Sequence, residues 1–163
     1  MTRYIRKVAI LGSGVMGSRI ACHFANIGVE VLLLDIAPNQ LTPAEEKSKL
    51  TLDSPQVRNR IVNEALQTAL SSNPSPIYSK SFANRISTGN FSDHMAKITD
   101  ADWVIEVVIE RLDIKQQVFA QVEQYRKPGT LISTNTSGIP IHLMLEGRSD
   151  DFKAHFAGTH FFN

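Results

Sequence analysis

The chain has 163 residues, 42% of them apolar and 20% charged, the proportions of a soluble globular protein built on one hydrophobic core. Seventeen basic and sixteen acidic side chains leave a formal charge of +1, so there is no basic footprint for nucleic acid or for an anionic membrane. The one cysteine, Cys22, has no partner for an internal disulfide, which favours a reducing, cytoplasmic setting. No apolar run approaches the roughly 20 residues that cross a bilayer, and the run after the basic opening is too short for a signal peptide.

In chain order, Val8-Ala9-Ile10-Leu11 is a short continuous apolar run, as expected of a parallel strand buried on both faces. Gly12-Ser13-Gly14-Val15-Met16-Gly17 ends it. Met16, Ile20, Phe24 and Ile27 then recur at three and four residues, which predicts a helix from Val15 to Ile27 stopped by Gly28. Cys22 falls inside that helix and reads as a small buried residue rather than a nucleophile. Val29 to Leu34 is a second buried strand, closed by Asp35.

Thr42-Pro43-Ala44-Glu45 carries a capping box with proline at the first helical position, so a short helix starts there. Ser54-Pro55 starts a longer one, with Val57, Ile61, Ala65, Leu66, Ala69 and Leu70 on one face, broken at Asn73-Pro74. Arg85 to Thr88 reads as a strand and Gly89-Asn90 as a turn. Nearly seventy residues separate Asp35 from the next clear strand, against about 30 for a minimal βαβ unit, so residues 37–97 are expected to hold a helical insertion. Regularity returns with a strand at Trp103 to Val108, a helix at Ile114 to Tyr125 with Val118, Phe119 and Val122 facing in, and a strand at Leu131 to Thr134. A short helix near Ile141 to Leu145 and a last strand within 156–163 complete the pattern. The alternation predicts an α/β fold of the doubly wound, Rossmann type, with a mostly parallel sheet and the 37–97 insertion after the second strand, all within one domain spanning 1–163.

A lone GxGxxG is weak evidence, but here it follows a strand, opens a helix and precedes a second strand that ends in Asp35. Gly12 permits the tight turn, Gly14 lets a pyrophosphate approach, and Gly17 lets the helix pack on the strand. The amides of Ser13, Val15 and Met16 lie at the positive end of the helix dipole, where phosphate binds. Asp35 stands 23 residues after Gly12, where a carboxylate accepts bonds from the adenosine ribose; a 2′-phosphate there would meet a like charge, so NAD is preferred over NADP. Two readings compete with this one: a glycine turn that merely packs a βα unit, and an S-adenosylmethionine enzyme.

With "VAILGSGVMGSRIACHFANIGVEVLLLD", "ADWVIEVVIERLDIKQQVF", "STNTSG" and "GTHFFN" in this order and approximate spacing, the chain resembles the 3-hydroxyacyl-CoA dehydrogenase family over more than half its length. Its long middle region and its closing "GRSDDFKAHFAGTHFFN" are similar to the long bacterial fatty-acid oxidation proteins, in which a dehydrogenase part precedes an enoyl-CoA hydratase-like part. The resemblance implies an L-3-hydroxyacyl-CoA dehydrogenase that oxidises 3-hydroxyacyl-CoA to 3-oxoacyl-CoA with NAD in fatty-acid β-oxidation. It assigns His160 as the catalytic base and Ser137 as the residue that bonds the substrate oxygen near the nicotinamide. It places Glu110 and Lys115 at the nicotinamide ribose and Asn163 near the same end of the cofactor. Each has a plainer reading: a solvated histidine, a helix-surface ion pair, and a serine that caps the helix after Gly138. Glu106, a carboxylate inside a buried strand, has no assigned role beyond being hydrogen-bonded.

The chain ends at Asn163, before the glutamate that orients the imidazole in this family and before the helical C-terminal domain that walls the acyl cleft and supplies dimer contacts. It is therefore expected to be the NAD-binding domain of a longer, oligomeric protein acting on an acyl-CoA, able to bind NAD but catalytically incomplete by itself. A β-hydroxyacid dehydrogenase of the 3-hydroxyisobutyrate type shares GxGxMG but gives no reason for "NTSG" with "HFFN". An NAD-sensing module without chemistry has no need of His160. The ribose contact is testable: D35A is expected to weaken NAD binding, measured by calorimetry, far more than NADP binding. Equal losses for the two would refute the contact.

Overall fold

The computed structural model describes residues 3–162. Six strands, β1 (Lys7–Leu11), β2 (Glu30–Asp35), β3 (Ile86–Asn90), β4 (Trp103–Glu106), β5 (Leu131–Thr134) and β6 (Phe156–Gly158), form one sheet in the order β3-β2-β1-β4-β5-β6. Every pairing is parallel; Val8 stands between Val31 and Trp103, and Leu11 between Leu34 and Glu106. The strand order reverses between β1 and β4, which opens a crevice beyond their carboxyl ends.

Alternation along the strands decides which helix covers which face. Val8, Ile10, Val31 and Leu33 pack with Ile20, Ala21 and Phe24 of helix α1 (Val15–Asn26). Ala9, Leu11, Leu32 and Leu34 pack on the other face with Val118, Phe119 and Val122 of a helix spanning Leu112–Tyr125. Both faces are covered, so the central strands carry continuous apolar runs, Val8–Leu11 in β1 and Val31–Leu34 in β2. Each fully buried Leu, Ile or Phe contributes about 1.5–3 kcal/mol. Cys22 is buried against Ala25 and Ile77, as its neighbours implied, and burial pushes its thiol above the usual range.

The segment between β2 and β3 holds α2 (Pro43–Lys47), α3 (Pro55–Arg58) and α4 (Arg60–Ser71), then a 3-10 turn at Lys80–Arg85. The Thr42–Glu45 capping box forms as expected. The helix expected from Ser54 to Leu70 is instead broken at Asn59, whose side chain donates to the Pro55 carbonyl at 3.1 Å and accepts from Asn90 at 2.9 Å. An asparagine that bonds backbone in this way competes with the helical ladder. The break rotates the second piece so that Val62, rather than Ile61, is buried.

Gly89-Asn90 is not a turn: it completes β3, paired with Leu34 and Asp35. Gly89 is dictated by packing, since a Cβ there would lie 2.7 Å from the ring of His94. Asn90 then caps α5 (Phe91–His94) through Asp93 N–H at 2.9 Å. The 37–97 segment thus contributes the outer strand as well as helices. From β4 the chain runs through α6 (Leu112–Tyr125), β5, α7 (Ile141–Met144) and α8 (Asp150–Ala154) to β6. Helix α8 is an element not expected from the sequence, although its Ser149 cap and acidic first turn are an ordinary start signal. The last strand is shorter than expected, spanning Phe156–Gly158. Among the described residues, no helix is long and apolar enough to cross a membrane.

Arg58 and Asp93 tie α3 to α5 through two bonds of 2.5 and 2.7 Å, and the Arg58 guanidinium holds the Asp93 carboxyl down to about 2. A depressed folded value stabilises above the unfolded value of about 3.9 and is lost as pH falls through it. Because the pair is partly exposed, solvent screening keeps the effect small. The stability gap between D93N and the unsubstituted chain should therefore be present at pH 7 and close between about pH 4 and pH 2. A gap of constant size in denaturant titrations across that range would overturn the assignment.

Candidate functional site

At the β1–α1 turn, Gly12 has φ of 107°, and a Cβ on it would lie 2.6 Å from the Val107 carbonyl oxygen. A Cβ on Gly17 would overlap the Gly12 carbonyl, so the first turn of α1 rests directly on the loop. Gly14 differs: a Cβ there would meet nothing within 4 Å. It borders open space and begins α1 with no side-chain cap and no acidic residue in the first turn. The first amides of a helix lack intrahelical acceptors, so those of Val15, Met16 and Gly17 remain available to an anion. Val15 is exposed at the rim, and Met16 packs inward beside Ile10 and its neighbours.

Asp35 ends β2 beside this loop. Its Oδ2 accepts the Ser13 amide at 2.6 Å and the Ser13 hydroxyl at 2.5 Å, while Oδ1 accepts the Ile36 amide at 2.7 Å. A carboxylate offers about four acceptor positions and three are filled here, so Oδ1 keeps one for a ribose hydroxyl. Ser18 in turn bonds the Ser13 carbonyl at 2.6 Å. The Ser13 hydroxyl was invisible to the motif, which assigns that position only a backbone amide. A cavity of about 620 Å³ opens here, lined by Gly12, Gly14, Asp35, Phe91, Val108 and Ile114 among others. Its apolar walls with one carboxylate and free amides fit an adenosine and its phosphates.

Across the crevice, Glu106 at the end of β4 is fully buried and hydrogen-bonded. Its Oε1 accepts Lys115 Nζ at 2.8 Å and the Val108 amide at 2.7 Å; its Oε2 accepts the Thr134 hydroxyl at 2.5 Å. Lys115 is therefore no surface residue: it is 1% exposed, and Nζ lies 3.5 Å from Glu110 Oε2. Glu110 Oε1 accepts the Thr136 hydroxyl, the Ser137 amide at 3.1 Å and the Gly138 amide at 2.9 Å. Burial pushes the Glu110 carboxyl up, but these donors and Lys115 outweigh it and hold it below the usual range.

Ser137 is exposed on the loop after β5 and does not cap the next helix, which begins after Pro140 without a side-chain cap. His160 is exposed just past β6, its ring edge-on to Phe162 at 4.9 Å. Its flanking residues are fixed to β5: Thr159 N–H to the Thr134 carbonyl at 2.9 Å, and Phe161 N–H to Asn135 Oδ1 at 2.8 Å. Phe161 also packs edge-on against Phe24 of α1. The fold thus brings Ser137 and His160 to adjoining loops at the carboxyl edge of the sheet, beyond the crevice. Asn163 lies outside the described residues. Asn135 and Thr134 were not singled out from the sequence, since nothing in their spacing marks them as ties between the two loops.

An all-parallel sheet in this order, with a glycine loop and an acidic strand end at the reversal, defines a dinucleotide-binding domain. A family profile described as "3-hydroxyacyl-CoA dehydrogenase, NAD binding domain" matches residues 7–163, and the chain belongs to that family. It is 55% identical over 163 residues to a probable 3-hydroxyacyl-CoA dehydrogenase of Bacillus subtilis, covering the whole chain and 21% of that protein. It is 37% identical over 163 residues to a putative fatty acid oxidation complex trifunctional enzyme of Rickettsia felis, again covering all of this chain and 21% of the relative. Among solved structures, 3-hydroxybutyryl-CoA dehydrogenase from Escherichia coli matches with a TM-score of 0.67 and 30% identity, over 99% of this chain and 30% of that one. The chain therefore spans about a fifth of the length of these two relatives, and its dinucleotide is NAD.

The two inner glycines should separate folding from binding. G17A is expected to destabilise by several kcal/mol, because helix and loop must part to admit the methyl group; overpacking of this kind costs about 1–3 kcal/mol or more. G14A should unfold within about 0.5 kcal/mol of the parent yet lose NAD affinity. Denaturant unfolding beside calorimetry distinguishes them, and equal destabilisation by both would overturn the assignment.

Proposed function

We propose that this chain is the cofactor half of an L-3-hydroxyacyl-CoA dehydrogenase of fatty-acid β-oxidation, acting in the full-length protein on acyl-CoA. The observation that carries this reading is the meeting of three elements at one carboxyl edge: the glycine loop with Asp35, the Ser137 loop braced by Glu110, and the His160 segment tied to Asn135. When bound, NAD accepts a hydride at its nicotinamide ring. The free amides of α1 and the Asp35 carboxylate hold the phosphate and adenosine ribose end. Glu110 faces the nicotinamide ribose, with Lys115 enclosed behind it. Ser137 Oγ bonds the 3-oxygen of the substrate, and the His160 imidazole takes the 3-hydroxyl proton as hydride leaves C3. Asn163 would border the same end of the cofactor.

Two features support an acid–base role for His160 over a sensing role. Its backbone is anchored on both sides, through Thr159 and Phe161, while its ring stays exposed. A sensor gains nothing from presenting a proton acceptor there. Soluble, cytoplasmic placement and assembly into an oligomer belong to the same proposal.

The test uses the full-length protein that carries this domain. H160Q is expected to lower kcat for acetoacetyl-CoA reduction by about 10²–10⁴-fold, the usual contribution of a general acid–base group, with NAD affinity nearly unchanged. Turnover within about twofold of the parent would overturn the proposal.

A further inference from the structure

We propose that Glu106 is a positioning residue for Ser137, acting at a distance through Lys115 and Glu110. This rests on the reading of Ser137 as substrate-facing. Glu106 is fully buried and does not reach the crevice surface. Its bonds run to three elements: the Val108 amide after β4, Lys115 of α6 and Thr134 of β5. Lys115 Nζ, 2.8 Å from Glu106 and 3.5 Å from Glu110, is shared between two carboxylates. Glu110 is the outer member, and its Oε1 receives the hydroxyl of Thr136 and the amides of Ser137 and Gly138.

The loop that carries Ser137 has no regular secondary structure of its own, so its conformation depends on the acceptor it wraps. That acceptor is a half-exposed glutamate on a loop, which by itself would sample several rotamers. The ammonium of Lys115 removes that freedom because its own position is fixed by a carboxylate with no access to water. Glu106 therefore sets where Lys115 stands, Lys115 sets where Glu110 stands, and Glu110 sets the Ser137 backbone. A second route is shorter: Thr134 Oγ1, while donating to Glu106, accepts the Thr136 amide at 3.3 Å. The order of the chain explains the arrangement. Glu106 and Thr134 are register partners on adjacent strands, so the buried carboxylate lies directly beneath the loop it orders.

The Ser137 and Gly138 amide protons lie on Glu110 and report its charge, so the test reads them by NMR in the isolated chain without cofactor. Two variants move the relay in opposite directions. E106L/K115M replaces the buried pair by apolar side chains of similar size, which buried pairs often tolerate; Glu110 then loses its cation. The Glu110 titration followed at Ser137 and Gly138 should move up towards the ordinary glutamate range, and both amide shifts at pH 7 should move most of the way to those of E110Q. E106Q keeps the shape but leaves the Lys115 charge to Glu110 alone, so the same titration should move down. Shifts in one common direction, or amides that coincide with the parent in either folded variant, would overturn the proposal; if E106L/K115M does not fold, E106Q decides it. In the full-length protein E106Q is expected to lower kcat by about tenfold, the equilibrium weight of one charge-assisted hydrogen bond. Opposite amide shifts with an unchanged kcat would leave the relay standing and refute the role of Ser137 instead.

Discussion

No side chain fits between the Gly12 carbonyl and the first turn of α1, and this exclusion governs the molecule. With Gly17 in place the helix begins directly on the end of β1, its amides aimed over the reversal of the sheet. The Gly12 amide bonds the Leu34 carbonyl at 2.8 Å and Ser13 bonds Asp35, so the same few residues join β1, β2 and α1. The anion end and the ribose end of the cleft are then separated by a fixed distance. Widening the loop by one methyl group would move both.

The other side of the crevice is held by charge rather than by contact. Desolvating a carboxylate and an ammonium together costs several kcal/mol per ion, and breaking such a pair costs about 3–5 kcal/mol. Glu106 and Lys115 are tolerated because the carboxylate has three donors and the pair closes a network among β4, β5 and α6. An apolar pair could hold those elements equally well. It could not hand a positive charge outward to Glu110, whose carboxyl stays ionised and accepts the 136–138 loop. Rigid packing on one wall and a buried polar network on the other give the crevice two differently supported edges.

Much of the fold was legible because it rests on short-range rules. Apolar runs gave β1, β2 and β4, and the Leu131-Ile132 pair after the Pro128-Gly129 turn gave β5; helical spacing gave α1 and α6; the capping box gave α2. The failures came where tertiary contacts outweighed local pattern. Gly89-Asn90 carries turn chemistry, yet the pull of the neighbouring strand and the ring of His94 made it strand. The periodicity of 54–70 suggested one helix, yet Asn59 found partners at Pro55 and Asn90 and broke it. In the site, the glycines and Asp35 were legible from spacing. The ties through Ser13, Thr134 and Asn135 were not, since a hydroxyl or amide side chain gives no hint of which distant group it will bond.

Gly12 to Asp35 by itself determined that a dinucleotide binds, because each residue of that unit acts on atoms within one turn or one strand of it. Glu106 was the opposite case: read along the chain it was a charge out of place in an apolar strand. Its meaning depends on Thr134 and Lys115, 28 and 9 residues away, and on Glu110 beyond them. Only the sheet register and the docking of α6 bring those groups within hydrogen-bond reach. Local sterics can be read from sequence order, whereas the satisfaction of a buried charge is decided by whichever elements the fold packs around it.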